Sequence, residues 1–210
     1  MNFWNRLETV AEQHSVLRHS FYLRWSEGTL GIDELAHYSG QYRHAVIALS
    51  DASAAAARSP EAGADAPMLA EHAAEEAAHV ELWDEFVTAV GGQVAAQPNE
   101  QTRACAAVWA GEEARPLLHT LTALYTIESA QPAISETKQA GLALHYGIRA
   151  VDYFDVHQHL DVEHAAQARS LIEQRLDGVD EDALVATAED VLKANLLLLD
   201  GVEAACLQLR

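Results

Sequence analysis

Tyr153-Phe154-Asp155-Val156-His157-Gln158-His159-Leu160-Asp161-Val162-Glu163-His164 decides how this chain is read. Phe154, His157, Asp161, His164, Ala168 and Leu171 recur at three- and four-residue steps, so they fall on one face of a helix. That face is apolar at both ends and ionisable in the middle. A carboxylate without a partner costs several kcal/mol to bury. Three ionisable groups in one apolar stripe therefore call for a compensating cation or for a hydrogen-bonded polar network.

Two other segments repeat the anomaly. In the helix expected from Pro116, the residues Leu117, Leu121, Leu124 and Glu128 share a stripe, so Glu128 stands where a leucine is expected. Taken alone, Glu128 fits either a metal ligand or a buried ion pair with Lys138 or Arg149. In the helix expected over 67–90, an apolar seam through Met68, Leu82, Phe86 and Ala89 is completed by His72, Glu75 and His79. His72 and His79 lie within about 20° of each other on an ideal helix, and Glu76 lies about 80° from the centre of that seam. A lone inward histidine is more often a satisfied core residue, and Glu75 and Glu76 also fit a solvated face. Metal sites in helical bundles are built from inward Glu, Asp and His. Oxygen and nitrogen donors without thiolates suit iron, manganese or zinc. His44, His119, His145 and His159 show no such pairing.

The remaining sequence is helix-rich. Ala, Leu, Glu and Gln dominate, and Gly and Pro divide the chain into helix-sized pieces. Helices are expected over about 2–18, 32–58, 65–90, 98–111, 116–131, 134–146, 149–176 and 180–209. The expectation is a single all-α domain over 1–210, a bundle of seven to eight helices. The chain has 210 residues and a net charge of −19, from 13 basic and 32 acidic residues. That charge repels phosphate backbones and anionic lipid, so neither nucleic acid nor a membrane is an expected partner. Two cysteines, with no CxxC, give neither a disulfide framework nor a thiolate zinc site. No signal peptide and no 18-residue apolar run is evident, so a cytoplasmic location is expected.

Four stretches, in order, resemble one family. His19-Ser-Phe-Tyr22-Leu-Arg-Trp25-Ser-Glu-Gly28 is similar to its H-x-F-Y-x-x-W-x-x-G segment. His79-Val-Glu-Leu-Trp83-Asp-Glu-Phe86 is similar to H-x-x-L-W-x-x-F. Tyr125-Thr-Ile-Glu128-Ser-Ala-Gln-Pro132, with Lys138 and Gly141-Leu142, is similar to Y-x-x-E-S-x-x-P-x(5)-K-x-x-G-L. Tyr153-Phe154 with His157, Asp161 and His164 is similar to Y-F-x-x-H-x3-D-x-x-H. The family is the CADD-like group of haem-oxygenase-like di-metal oxidases, related to PqqC and TenA proteins.

The resemblance implies a haem-oxygenase-like fold that holds two metal ions instead of haem, with iron expected (Fe/Fe or Mn/Fe) and O2 as co-substrate. It implies His79, Glu128, His157, Asp161 and His164 as ligands. The family's remaining ligand is a Glu seven residues before the first His, and here that position is His72. His72 is the expected ligand there, with Glu75 favoured over Glu76 as an accessory carboxylate. The resemblance also makes Tyr22 and Lys138 catalytic, Tyr22 as an oxidisable side chain and Lys138 as a source or acceptor of a proton or amine. The function expected is an O2-activating di-metal oxidase or oxygenase. It would act on a small molecule or on the protein's own side chain, in p-aminobenzoate or folate-related biosynthesis or in another biosynthetic oxidation. A homodimer is expected from such relatives and from a last-helix stripe of Leu192, Leu196, Leu199 and Val202. The competing readings are a PqqC-like cofactorless oxidase, a TenA-like thiamine-salvage hydrolase and a non-catalytic metal-binding protein. TenA chemistry uses a cysteine, and none occurs between residues 106 and 205.

Overall fold

Asn2 opens the fold by accepting a hydrogen bond from the backbone of Asn5, which caps helix α1, Phe3–Gln13. The computed structural model describes residues 2–111, 115–148 and 151–208. Within them run α2 Ser20–Glu27, α3 Ile32–Arg58, α4 Ala66–Ala89, α5 Glu100–Ala110, α6 Leu117–Glu128, α7 Gln131–Gly141, α8 Asp152–Glu173 and α9 Glu181–Gln208. No strand occurs among the described residues, so the fold is the all-α bundle expected. Residues 149, 150 and 209, which the sequence reading gave to the last two helices, lie outside the described residues, as does Arg149 as a partner for Glu128.

The first helix is shorter than expected. It stops at Gln13, and a separate α2 follows a 3-10 turn at Val16–Arg18. The break is local: His19 is extended, and its ring accepts a hydrogen bond from the Phe21 amide, which starts a new helix. Gly28 ends α2 in the left-handed region at φ 69°, where a side chain would also meet the His145 ring. Pro132 does not end a helix but sits in the first turn of α7, where its missing N–H costs nothing.

Helix α3 packs on α4 and α5, α8 packs on α6 and α7, and α9 closes the bundle against α5, α6 and α1. The buried apolar side chains form one continuous cluster. Buried Trp indoles each donate to a carbonyl: Trp83 to Ser39, Trp109 to Val191 and Trp25 to Lys138. Leu192, Leu199 and Val202 are buried within the chain and Leu196 is partly buried, so packing inside the monomer accounts for most of the stripe on α9. No helix of the described residues is long and apolar enough to cross a membrane.

Candidate metal centre

Helices α4, α6 and α8 bring His72, Glu76 and His79, then Glu128, then His157, Asp161 and His164 into one buried cluster. On α8 and α6 every residue of the two stripes read from sequence is buried. On α4 the buried face is Leu69, His72, Glu76, His79, Trp83, Phe86 and Val87. Met68 and Leu82 are only partly buried and Ala89 is exposed. The expected seam was therefore rotated, and the carboxylate on it is Glu76, not Glu75. Glu76 is 1% exposed, whereas the Glu75 side chain is 41% exposed.

The donors converge as two groups. In one, atoms of His72, Glu76, Glu128 and His164 lie within 4.8 Å of one another; in the other, so do atoms of Glu76, His79 and His157. His72 Nε2 lies 3.0 Å from Glu128 Oε1 and 3.8 Å from Glu76 Oε1. His79 Nδ1 lies 3.1 Å from Glu76 Oε1. Asp161 belongs to neither group, but its Oδ1 is 3.7 Å from His164 Nδ1, too long for a hydrogen bond. Rings pair across the helices, His72 with His164 at 4.0 Å and His79 with His157 at 4.4 Å between centroids.

Many of these atoms lack hydrogen-bond partners. His72 Nε2, Glu76 Oε2, both oxygens of Glu128 and of Asp161, His157 Nε2 and His164 Nδ1 are all buried without one. The 3.0 Å approach of His72 to Glu128 is thus an ionic contact without hydrogen-bond alignment. His157 shows how one donor is aimed: its Nδ1–H donates to the Tyr153 carbonyl at 2.6 Å, which leaves the Nε2 lone pair facing the cluster. His164 is held similarly, with Nε2 on Glu75 Oε2 at 2.8 Å and Nδ1 inward.

Electrostatics bear out the crowding. Burial pushes the Glu128 and Asp161 carboxyls above their ordinary range, only partly offset by His72 and His164. Burial would raise Glu76 as well, but His79, His157 and His72 together hold it below. Burial lowers His157. His164 is desolvated too, yet Asp161 and Glu75 lift it to about 9. A pair of cations in place of these protons would satisfy the unpartnered nitrogen and oxygen atoms, so the residues present fit two metal ions.

Lys138 is not the partner of Glu128. It is fully buried on α7, its Nζ 4.5 Å from the Tyr42 ring centre and 5.4 Å from those of Tyr22, Tyr38, Trp83 and Phe154. Burial pushes its ammonium down to about 7. The Tyr22 hydroxyl is 3.2 Å from that of Tyr38, and burial holds both phenols protonated. The rings continue to the cluster: Tyr38 to Trp83 at 6.1 Å, Trp83 to Tyr153 at 4.7 Å, Tyr153 stacked on His157 at 3.9 Å. Gly141 lets α7 lie against Trp25; a Cβ there would stand 2.5 Å from the indole.

The sequence reading weighs both carboxylates and favours Glu75; the inward one is Glu76, whose signal is Glu76-x-x-His79. It missed Tyr38 and Tyr42, which no local pattern marks. His44, His119 and His145 bond to a backbone carbonyl, a hydroxyl and a backbone carbonyl, and His159 is exposed. Cys105 and Cys206 are buried, form no disulfide and belong to neither donor group. A cleft of about 970 Å³ between α5, α6 and α9 touches none of the cluster residues. A polar cavity of about 160 Å³ lies beside His72 and His164, under Glu71, Glu75 and Glu163.

The profile of a family described as iron-containing redox enzyme matches residues 35–195. This chain belongs to that family. The redox enzyme is 30% identical to the 4-aminobenzoate synthase of Chlamydia trachomatis, over 96% of this chain and 92% of the relative. It is 29% identical to the 4-aminobenzoate synthase of Nitrosomonas europaea, over 95% and 90%. Among solved structures, a haem-oxygenase-like domain of unknown function from Shewanella denitrificans superposes with TM-score 0.80 at 18% identity, over 98% of this chain and 93% of that one. A TenA homologue from P. horikoshii gives 0.79 at 17%, over 96% and 98%. These two show the haem-oxygenase-like fold. The redox enzyme is thus an oxidoreductase on that fold.

Proposed function

We propose that this oxidoreductase is an O2-dependent di-metal oxidase that forms 4-aminobenzoate or a close aromatic amine from its own side chains. The observation that carries the reading is the run of unpartnered buried donors on α4, α6 and α8, with an enclosed Lys138 and Tyr22 beyond it. His72, His79, Glu128, His157, Asp161 and His164 would hold two iron ions, or one iron and one manganese. Such ions, when bound and reduced, supply the electrons that activate O2.

The chain's own residues do the rest. Tyr153 fixes the His157 tautomer, and Glu75 fixes that of His164. Tyr22 presents a protonated, electron-rich phenol; the ring run through Tyr38, Trp83 and Tyr153 connects it to His157. Lys138, near neutrality at physiological pH, has an amine lone pair available and can take or give a proton. The polar cavity of about 160 Å³ beside His72 and His164 gives O2 a place next to the cluster. The names of the relatives support the product class.

Metal analysis of anaerobically purified protein, followed by O2-uptake and peptide mass spectrometry, tests the reading. About two metal ions per chain, O2 consumption and mass changes confined to the Tyr22 or Lys138 peptides are expected. O2 consumption with both peptides unchanged would move the reading to a diffusible small-molecule substrate. Metal without O2 uptake would leave a redox-silent binding protein. The TenA-like hydrolase has no cysteine at the cluster to act through.

A further inference from the structure

We propose that Glu76 is the carboxylate shared by the two metal positions, bound through one oxygen to each ion. This rests on the di-metal reading above.

Helix geometry makes Glu76 the residue able to serve both. His72 is one turn before it and His79 one turn after it, all on one face. Glu76 Oε1 is 3.1 Å from His79 Nδ1 and 3.8 Å from both His72 Nε2 and His164 Nδ1, so it stands among donors of both groups. Its Oε2 is buried without a hydrogen-bond partner. Among the described residues, Glu76 alone belongs to both donor groups. The other carboxylates are differently placed. Glu128 belongs to one group, Asp161 to neither, and Glu75 is half-exposed and spent on the outer nitrogen of His164.

Charge points the same way. Two divalent ions carry +4, against −2 from Glu128 and Asp161. In a desolvated cluster such an excess is costly, and a third carboxylate between the ions reduces it where the repulsion is greatest. Carboxylate-bridged ions in paired sites sit about 3.5–4 Å apart, a span that one carboxylate covers.

Manganese(II) loading of the full-length protein under anaerobic conditions tests this, read by metal content and by electron paramagnetic resonance. Wild-type protein should bind about two ions and give the broadened multiline signal of an exchange-coupled pair. Glu76→Gln, neutral and isosteric, should bind about one and give the signal of an isolated ion. Glu75→Gln should retain the coupled pair at saturating manganese. If Glu76→Gln does not fold, Glu76→Asp keeps the charge but is one methylene short; it should lose the coupling, and an intact coupled pair there would overturn the proposal. Two coupled ions in Glu76→Gln would also overturn it. Fewer than two ions in the wild type would instead overturn the di-metal reading itself.

Discussion

Glu75 holds His164 from outside the cluster. Its Oε2 lies 2.8 Å from His164 Nε2, which leaves Nδ1 turned toward Asp161 and Glu76. A carboxylate behind a ligating imidazole fixes its tautomer and raises its basicity, and losing one typically costs 10–100-fold in metal affinity. Glu75→Ala should therefore weaken metal binding about 10–100-fold while leaving the stoichiometry at saturation intact. Competition against a chelator measures it; an unchanged affinity would mean that Glu75 is only a surface residue.

Protons compete with metal for the same histidine. The His164 value is raised to about 9 from 6.5, so its charged-pair stabilisation of metal-free protein is fully present below 6.5 and is lost as pH rises through 9. Metal binding must displace that proton, so apparent affinity should climb between pH 6.5 and 9. Calorimetric titration in buffers of different ionisation heat would count the protons released. No proton release at pH 7 would contradict this account.

Asp161 separates the cost of a buried charge from its use. Both of its oxygens are buried and unpartnered. Asp161→Asn should lower metal content, and the loaded variant should melt below loaded wild type. Above pH 9, where His164 carries no charge for Asp161 to stabilise, the metal-free variant should melt no lower than metal-free wild type, because a neutral amide is less costly to bury than a carboxylate. Equal losses in both states would make Asp161 a structural hydrogen-bonding residue.

Lys138 gives a pH window of the opposite sign. Its folded-state value is depressed from 10.5 to about 7, so the unfolded chain binds the extra proton between those values. Stability should rise with pH across that window and stay flat below it. Lys138→Met should remove the rise and stabilise the protein at pH 7 by on the order of a few kcal/mol, at the expense of turnover. Urea unfolding at several pH values reads the slope directly.

Sequence alone made α8 legible because its inward stripe carries large or ionisable side chains at every step from Phe154 to His164. Helix α4 was harder. Ala73, Ala74, Ala77 and Ala78 give little phase information, so Met68 and Leu82 were given weight that belongs to Leu69 and Trp83. That rotation was enough to exchange Glu76 for Glu75. The setting of Lys138 was out of reach for another reason: its five rings come from α2, α3, α4 and α8, and only packing assembles them.

The donor cluster also ties together parts of the chain that are remote in sequence. His72 and Glu76 sit early in α4, His157 to His164 in α8, with α5, α6 and α7 between them. Ions bound by both helices, as proposed above, would act as cross-links that close this long intervening segment and so restrict the unfolded ensemble, as a disulfide would. Helix α8 makes few backbone approaches to α4 compared with those to α6 and α7. Its docking on α4 is thus the junction that chelation would loosen first, and amide exchange along α8 should quicken before the rest of the bundle responds.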